Sequence, residues 1–223
     1  MRNITFLSSG NGGNLKFLHL MQSKMKSADF NFSVIADREC GTTLFARTNG
    51  IKHRVIDVKN DEQFALSSTL AEFKPEIIFT TVHKIVSPAV LNTYGQQMVN
   101  LHYSLLPLHA GVIGMEGVES ATANRDTLLG VTAHKVTSEL DAGPIIIQSH
   151  FQNPNNLELS VKASFRIGCL QVWSILRDQN ESFVDMKDIS SNLVEDVVVH
   201  HSRAVLPLPE FIDDLFWSEL STL

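Results

Sequence analysis

The chain alternates between short apolar, β-branched runs and segments whose apolar positions recur every three or four residues. Residues 4–8, Ile-Thr-Phe-Leu-Ser, predict a first strand. A glycine-rich turn follows at 9–14, then an amphipathic helix over 15–21. A second strand is expected at 32–36, a turn at 37–41, and a helix at 42–49 with Gly50 as its C′ glycine. A third, weaker strand covers 52–58. A helix over 61–73, apolar at Phe64, Leu66, Leu70 and Phe73, stops at Lys74-Pro75. Residues 77–82, Ile-Ile-Phe-Thr-Thr-Val, form the unbroken apolar run of a central parallel strand. Ser87-Pro88 opens a short helix over 89–94, and residues 98–102 make a fifth strand. This repeated strand-helix order predicts an α/β fold with a doubly wound, mostly parallel twisted sheet.

The second half has a different rhythm. Residues 111–117 read as a glycine-rich, partly apolar loop and 126–130 as a turn. Residues 132–136 alternate as a strand, with Thr132, His134 and Val136 on one face. A loop at 140–144 and a strand at 145–149 follow. Residues 157–176 form one long helix with Leu159, Val161, Phe165, Leu170, Val172, Trp173 and Leu176 toward the core. Beyond Asn180 the pattern weakens. Residues 197–200 suit a strand in an edge hairpin, ended by Leu-Pro-Leu-Pro at 206–209, and 210–220 a short acidic helix. Residues 1–178 are therefore expected to form the main domain. Residues 179–223 would be a small hairpin and helix extension docked on the body or on a second copy in a homodimer.

Composition narrows the class. The 223 residues are 43% hydrophobic and 19% charged, as in an ordinary globular protein. The net charge of -6, with no Lys/Arg cluster, predicts no nucleic-acid footprint. No apolar run is long enough to span a bilayer. Met1-Arg2-Asn3 leads straight into strand sequence, which reads as a cytoplasmic protein and not as a signal peptide. Cys40 and Cys169 make neither a disulfide framework nor a metal site.

Ligands on doubly wound sheets sit beyond the C-terminal ends of the strands. Three stretches fall there. Gly12, Gly13 and Asn14 join the first strand to a helix N-terminus, a place that can hold phosphate or can simply be a tight turn. The loop is neither a dinucleotide fingerprint nor a P-loop. His83, Lys84, Ile85 and Val86 follow the fourth strand, with the lysine equally suited to solvent. Asn100 and His102 close the fifth strand. The asparagine brings amide donors, and the histidine a proton that moves near neutral pH. Alone, the pair also describes a polar strand end satisfied by backbone. Asp141, between Leu140 and Ala142, is either a partly desolvated carboxylate or a turn-forming residue. His134 by itself reads as a satisfied core histidine.

Taken together, Asn100-x-His102-x-Ser104-Leu-Leu-Pro107 and His134-x-Val-Thr-x-Glu-Leu-Asp141-x-Gly143-Pro144 resemble the folate-dependent formyltransferases. Within them, the phosphoribosylglycinamide formyltransferases are the nearest in pattern. Residues 9–15 are similar to that family's phosphate-binding loop, and the resemblance extends over about residues 1–175. It implies the Rossmann-like formyltransferase fold. The implied activity is transfer of a formyl group from 10-formyltetrahydrofolate, as co-substrate, to a primary amine of a small phosphorylated acceptor, as in purine biosynthesis. An amino-sugar nucleotide acceptor, or hydrolysis of the formyl folate, are the alternatives. Asn100 and His102 would stabilise the oxyanion, Asp141 would orient His102 and help relay the proton, and His134 would support Asp141. His83, Lys84, Ile85 and Val86, with Val136, Ser138 and Glu139, would line the folate pocket, largely through backbone. Gly12, Gly13 and Asn14 would hold the acceptor phosphate, and no metal would be needed. The pattern departs from the purine enzymes at Gly13, where serine is usual, at Tyr103, where proline is usual, and at Gly168, where a ribose-binding glutamate stands. The stretch 108–115 is also more apolar. The methionyl-tRNA enzymes' large C-terminal domain has no counterpart in the pattern, which with the acidic charge weighs against tRNA.

Overall fold

The computed structural model describes residues 1–57, 63–177, 194, 197–202 and 208–223. These fall into two compact units. The first is Met1–Asn100 with Lys135–Pro144, and the second is Leu101–His134 with Ile145–Leu223.

The first unit is built on β1 (Arg2–Ser8), β2 (Phe30–Ala36), β3 (Lys52–Val55), β4 (Ile77–Thr81) and the start of β5 (Met98–His102). They run parallel in the order β3-β2-β1-β4-β5. Helices α1 (Gly13–Lys24), α2 (Gly41–Thr48), α3 (Phe64–Phe73) and α4 (Pro88–Tyr94) make the crossovers. The inner strands are largely apolar and buried on both faces, and the polar Thr5 and Ser33 among them bond each other at 2.8 Å. On one face Leu7, Ile35, Ile78 and Met98 join Leu66, Leu70 and Val90 in a buried cluster. Phe6, next to Leu7 and therefore on the other face, stacks on Phe79 at 5.5 Å and tilts against Phe32 at 6.3 Å. Ser87 caps α4 by accepting from the Val90 N–H, and Pro88 opens that helix.

The second unit holds α5 (Glu116–Ala123), β6 (Leu128–Lys135), β7 (Ile145–Gln152), α6 (Leu157–Arg177), β8 (Val199–His201) and α7 (Asp214–Thr222). β6, β7 and β8 pair antiparallel. The C-terminal helix lies on α6: Trp217 meets Phe165 edge-on at 6.4 Å, and the Arg166 guanidinium sits 4.5 Å from the Trp217 ring.

Several expectations need correction. The third strand ends at Val55, and residues 58, 61 and 62, assigned above to that strand and to the next helix, lie outside the described residues. So do 206 and 207. Residues 116–123, partly covered by the expected glycine-rich loop, form α5. The expected turn at 126–130 holds the first three residues of β6. Gly130 is there for close approach, since a Cβ would come within 2.2 Å of the Ser149 carbonyl. Among the described residues, β8 pairs antiparallel with β7, which lies far from it in sequence.

Candidate active site

Three segments of the first unit meet at the C-terminal end of its parallel strands. The register sets this, since Ser8 pairs with Thr81, and Thr80 with Asn100. At β1, Gly12 is the N-cap of α1 with φ 71°, and no side chain caps that helix. A Cβ on Gly12 would meet the Thr42 hydroxyl at 2.8 Å, so both dihedral and space call for glycine. Thr42 fixes the loop: its hydroxyl donates to the Gly10 carbonyl at 2.7 Å and its N–H to the same oxygen at 3.1 Å. Gly13 is half-buried and Asn14 buried.

Beyond β4, the His83 N–H donates to the Ser9 hydroxyl at 2.9 Å and ties this stretch to the glycine loop. His83, Lys84 and Ile85 are exposed, and Val86 is buried. Buried Gln63 holds the backbone here. Its amide donates to the Ile85 carbonyl at 2.8 Å and its oxygen accepts the Ser87 N–H at 2.8 Å. Val136 packs against the cluster that contains Val86, so the two stretches expected to line a pocket share one apolar wall. The loop carrying Ser138, Glu139 and Asp141 is closed at its base by the Lys135 N–H donating to the Pro144 carbonyl at 2.9 Å. Gly143 crosses the Lys135 carbonyl there, and a Cβ would lie 1.8 Å from that oxygen. Ser138 and Glu139 face solvent, and Asp141 takes a left-handed φ of 52°.

This loop brings Asp141 to β5. The Asn100 amide nitrogen lies 3.5 Å from the Asp141 carboxylate, a long hydrogen bond. Forty-one residues separate the two, and no local spacing announces the contact.

His102 follows Asn100 on the same face of β5 by the strand's period of two. It is buried, and its Nε2 lies 3.0 Å from the His109 carbonyl. A carbonyl can only accept, so in this bond Nε2 carries the proton. His109 in turn donates from its Nε2 to the Asp126 carboxylate at 2.7 Å. The sequence reading passed over both residues: His109 sits in a stretch noted only for its apolar character, and Asp126 was read as part of a turn. His134 is buried in β6 beside a bulge, paired with Ile145.

The departures at positions 103 and 168 turn out to be one feature. A Cβ on Gly168 would meet the hydroxyl of buried Tyr103 at 2.7 Å, so the tyrosine occupies the space a side chain at 168 would need. Within the first unit, a carboxamide and a carboxylate facing each other at the end of β5 can bind an oxygen and a proton without a covalent nucleophile. Among the described residues, no group of three or more His, Cys, Asp or Glu could hold a metal ion.

Comparison with known proteins shows the family of the chain. The chain is 31% identical over 154 residues to phosphoribosylglycinamide formyltransferase of Escherichia coli, covering 66% of this chain and 71% of that protein. It is 32% identical over 127 residues to methionyl-tRNA formyltransferase of Chlorobium luteolum, covering 56% of this chain and 39% of that one. The chain thus spans less than half the length of the methionyl-tRNA formyltransferases it matches. Among solved structures, phosphoribosylglycinamide formyltransferase from Coxiella burnetii superposes with a TM-score of 0.69 at 26% identity, over 78% of this chain and 85% of that one. Residues 2–156 match the family described as formyl transferase, and the chain belongs to that family.

Proposed function

We propose that the protein transfers a formyl group from 10-formyltetrahydrofolate to the primary amine of a small phosphorylated acceptor in the cytoplasm. The observation that carries this reading is the Asn100–Asp141 contact, on the same strand edge as the glycine loop and the 83–86 stretch. The residues present suit a folate. Val86 and Val136 supply an apolar wall, and Gln63 presets the backbone beside it. The donor brings the activated formyl carbon.

When the amine adds to that carbon, the Asn100 amide and protonated His102 stabilise the oxyanion. Asp141 accepts or relays the proton that leaves the amine; as the oxyanion collapses, the bond from the formyl carbon to the folate nitrogen breaks, that nitrogen takes the proton, and tetrahydrofolate departs. His134 belongs to the scaffold that carries the 135–144 loop. The α1 N-terminus, with the backbone of Gly12, Gly13 and Asn14, holds the acceptor phosphate through its dipole.

Glycinamide ribonucleotide is the first acceptor to test, and an amino-sugar nucleotide is the second reading. Tyr103 against Gly168 weighs against glycinamide ribonucleotide, because it occupies the space a ribose-binding carboxylate at 168 would need. The test is a panel of primary amines offered with 10-formyltetrahydrofolate. Formylation of one of them by the wild type, lost in His102→Ala, supports the reading. Equal turnover by His102→Ala contradicts it.

A further inference from the structure

We propose that His109 and Asp126 are a positioning pair that sets the tautomer and orientation of His102. This rests on His102 acting as the proton-carrying group. The geometry is a relay of three hydrogen bonds within the second unit. The Asn153 side chain, buried at the end of β7, donates to the Asp126 carbonyl at 2.8 Å. Arg125, in the left-handed region at φ 57°, ends the turn after α5 and places Asp126. The Asp126 carboxylate accepts from His109 Nε2 at 2.7 Å, and the His109 carbonyl accepts from His102 Nε2 at 3.0 Å.

The conformation of His109 makes the pair more than a surface salt bridge. Its φ is 54°, a region that costs a β-carbon residue about 1 kcal/mol or more unless its surroundings impose it. Two contacts impose it here. The Ser104 hydroxyl donates to the preceding Leu108 carbonyl at 2.8 Å, and Asp126 anchors the His109 ring. With both made, the His109 carbonyl has one direction, and it points at His102. A carbonyl in that place selects the Nε2–H form of His102 and leaves Nδ1 as the nitrogen that gains and loses the proton. The pair is half-exposed, with side-chain exposures of 20% for His109 and 32% for Asp126, so its role is geometric and not a strong field at the reacting atoms.

The decisive readout is the ring nitrogen NMR spectrum of His102 in the full chain, which needs no acceptor. The wild type shows the Nε2–H tautomer. Asp126→Ala is expected to give a mixture of tautomers, and Asp126→Asn, whose amide oxygen still accepts from His109, to restore the single one. If Asp126→Ala does not fold, His109→Ala carries the same expectation, since it keeps the carbonyl and removes only its anchor. With an acceptor in hand, Asp126→Ala should lower kcat on the order of 10- to 100-fold with the KM for the folate unchanged, the effect of a small misplacement of a catalytic group. A wild-type His102 spectrum in a folded Asp126→Ala or His109→Ala variant overturns the proposal. Full activity in His102→Ala would instead overturn the reading of His102 and leave the spectral result standing.

Discussion

The two units carry their share of the candidate chemistry in different ways. In the first, the stretches expected to meet the folate and the phosphate are shaped by backbone. The glycine loop is pinned through the Gly10 carbonyl, residues 85–87 through the Ile85 carbonyl and the Ser87 N–H, and the 135–144 loop through the Lys135 N–H and Pro144 carbonyl. In the second, side chains make the contacts: the His102 ring meets the His109 carbonyl, the His109 ring meets Asp126, and Ser149 meets His201 on the β7–β8 edge. A site made from backbone tolerates changes in exposed side chains and fails when the backbone is moved. A site made from side chains fails one residue at a time.

The largest effects should fall on the side chains at the end of β5. His102→Ala is expected to lower the transfer rate by about 100- to 10,000-fold, the range for loss of a positioned acid or base. Asn100→Ala should cost about 100- to 1000-fold, as for one oxyanion donor. Steady-state kinetics with an accepted amine checks both, and rates within a fewfold of wild type would remove these residues from the chemistry.

The next effect tests the backbone side of the contrast. Gly143→Ala drives a Cβ into the Lys135 carbonyl, where neither atom belongs to a flexible side chain. A loss of about 3 kcal/mol or more in urea unfolding is expected, or collapse of folate binding if only the loop gives way.

The β7–β8 edge should make stability depend on pH. Burial, reinforced by neighbouring His150 and His200, pushes His201 down to about 4, and its Nδ1 lies 2.6 Å from the buried Ser149 hydroxyl. The folded state therefore resists a proton that the unfolded chain takes up near pH 6.5. The stabilisation is whole above about 6.5, falls as the pH drops from there toward 4, and amounts to about 3 kcal/mol. Thermal melts across that window should show the slope, and His201→Asn, which keeps a polar group near Ser149 but does not titrate, should flatten it. A wild-type curve already flat between pH 4 and 6.5 would refute this.

The smallest effects should come from the side chains around the 83–87 stretch of the first unit. Gln63→Ala removes the buried clamp on residues 85 and 87 and should weaken folate binding by about tenfold, the cost of a lost buried hydrogen bond or two. Lys84→Ala, exposed beside it, should change binding very little. A larger loss for Lys84 than for Gln63 would mean that side chains and not backbone make that wall.

Legibility in the sequence followed the same division. The first, second and fourth strands are plain because they are largely apolar and buried, the third is weak because Lys52–Val55 is mostly exposed, and the fifth has both ends where the pattern puts them, at 98 and 102. The α5 helix was hidden by Gly111, Gly114 and Gly117, and Val118 and Ala121 alone give it a thin apolar face. Gly130 looked like a turn because a strand glycine placed for close approach has the same letter as one placed for its dihedrals. Asn100, His102 and Asp141 could be named from their motif, but only the folded 135–144 loop carries Asp141 to Asn100. His109 and Asp126 had no motif at all, since their meeting depends on the turn at the end of a helix the pattern did not reveal.

The central claim is that a formyl group passes from a folate to an amine. It is tested most directly with 10-formyltetrahydrofolate labelled with carbon-13 in the formyl group, incubated with the full chain and the amine panel, and followed by NMR. The account predicts that the label leaves the folate only when an acceptor is present and appears as a formamide on that amine. Label released as free formate, at the same rate with and without any amine, would contradict it.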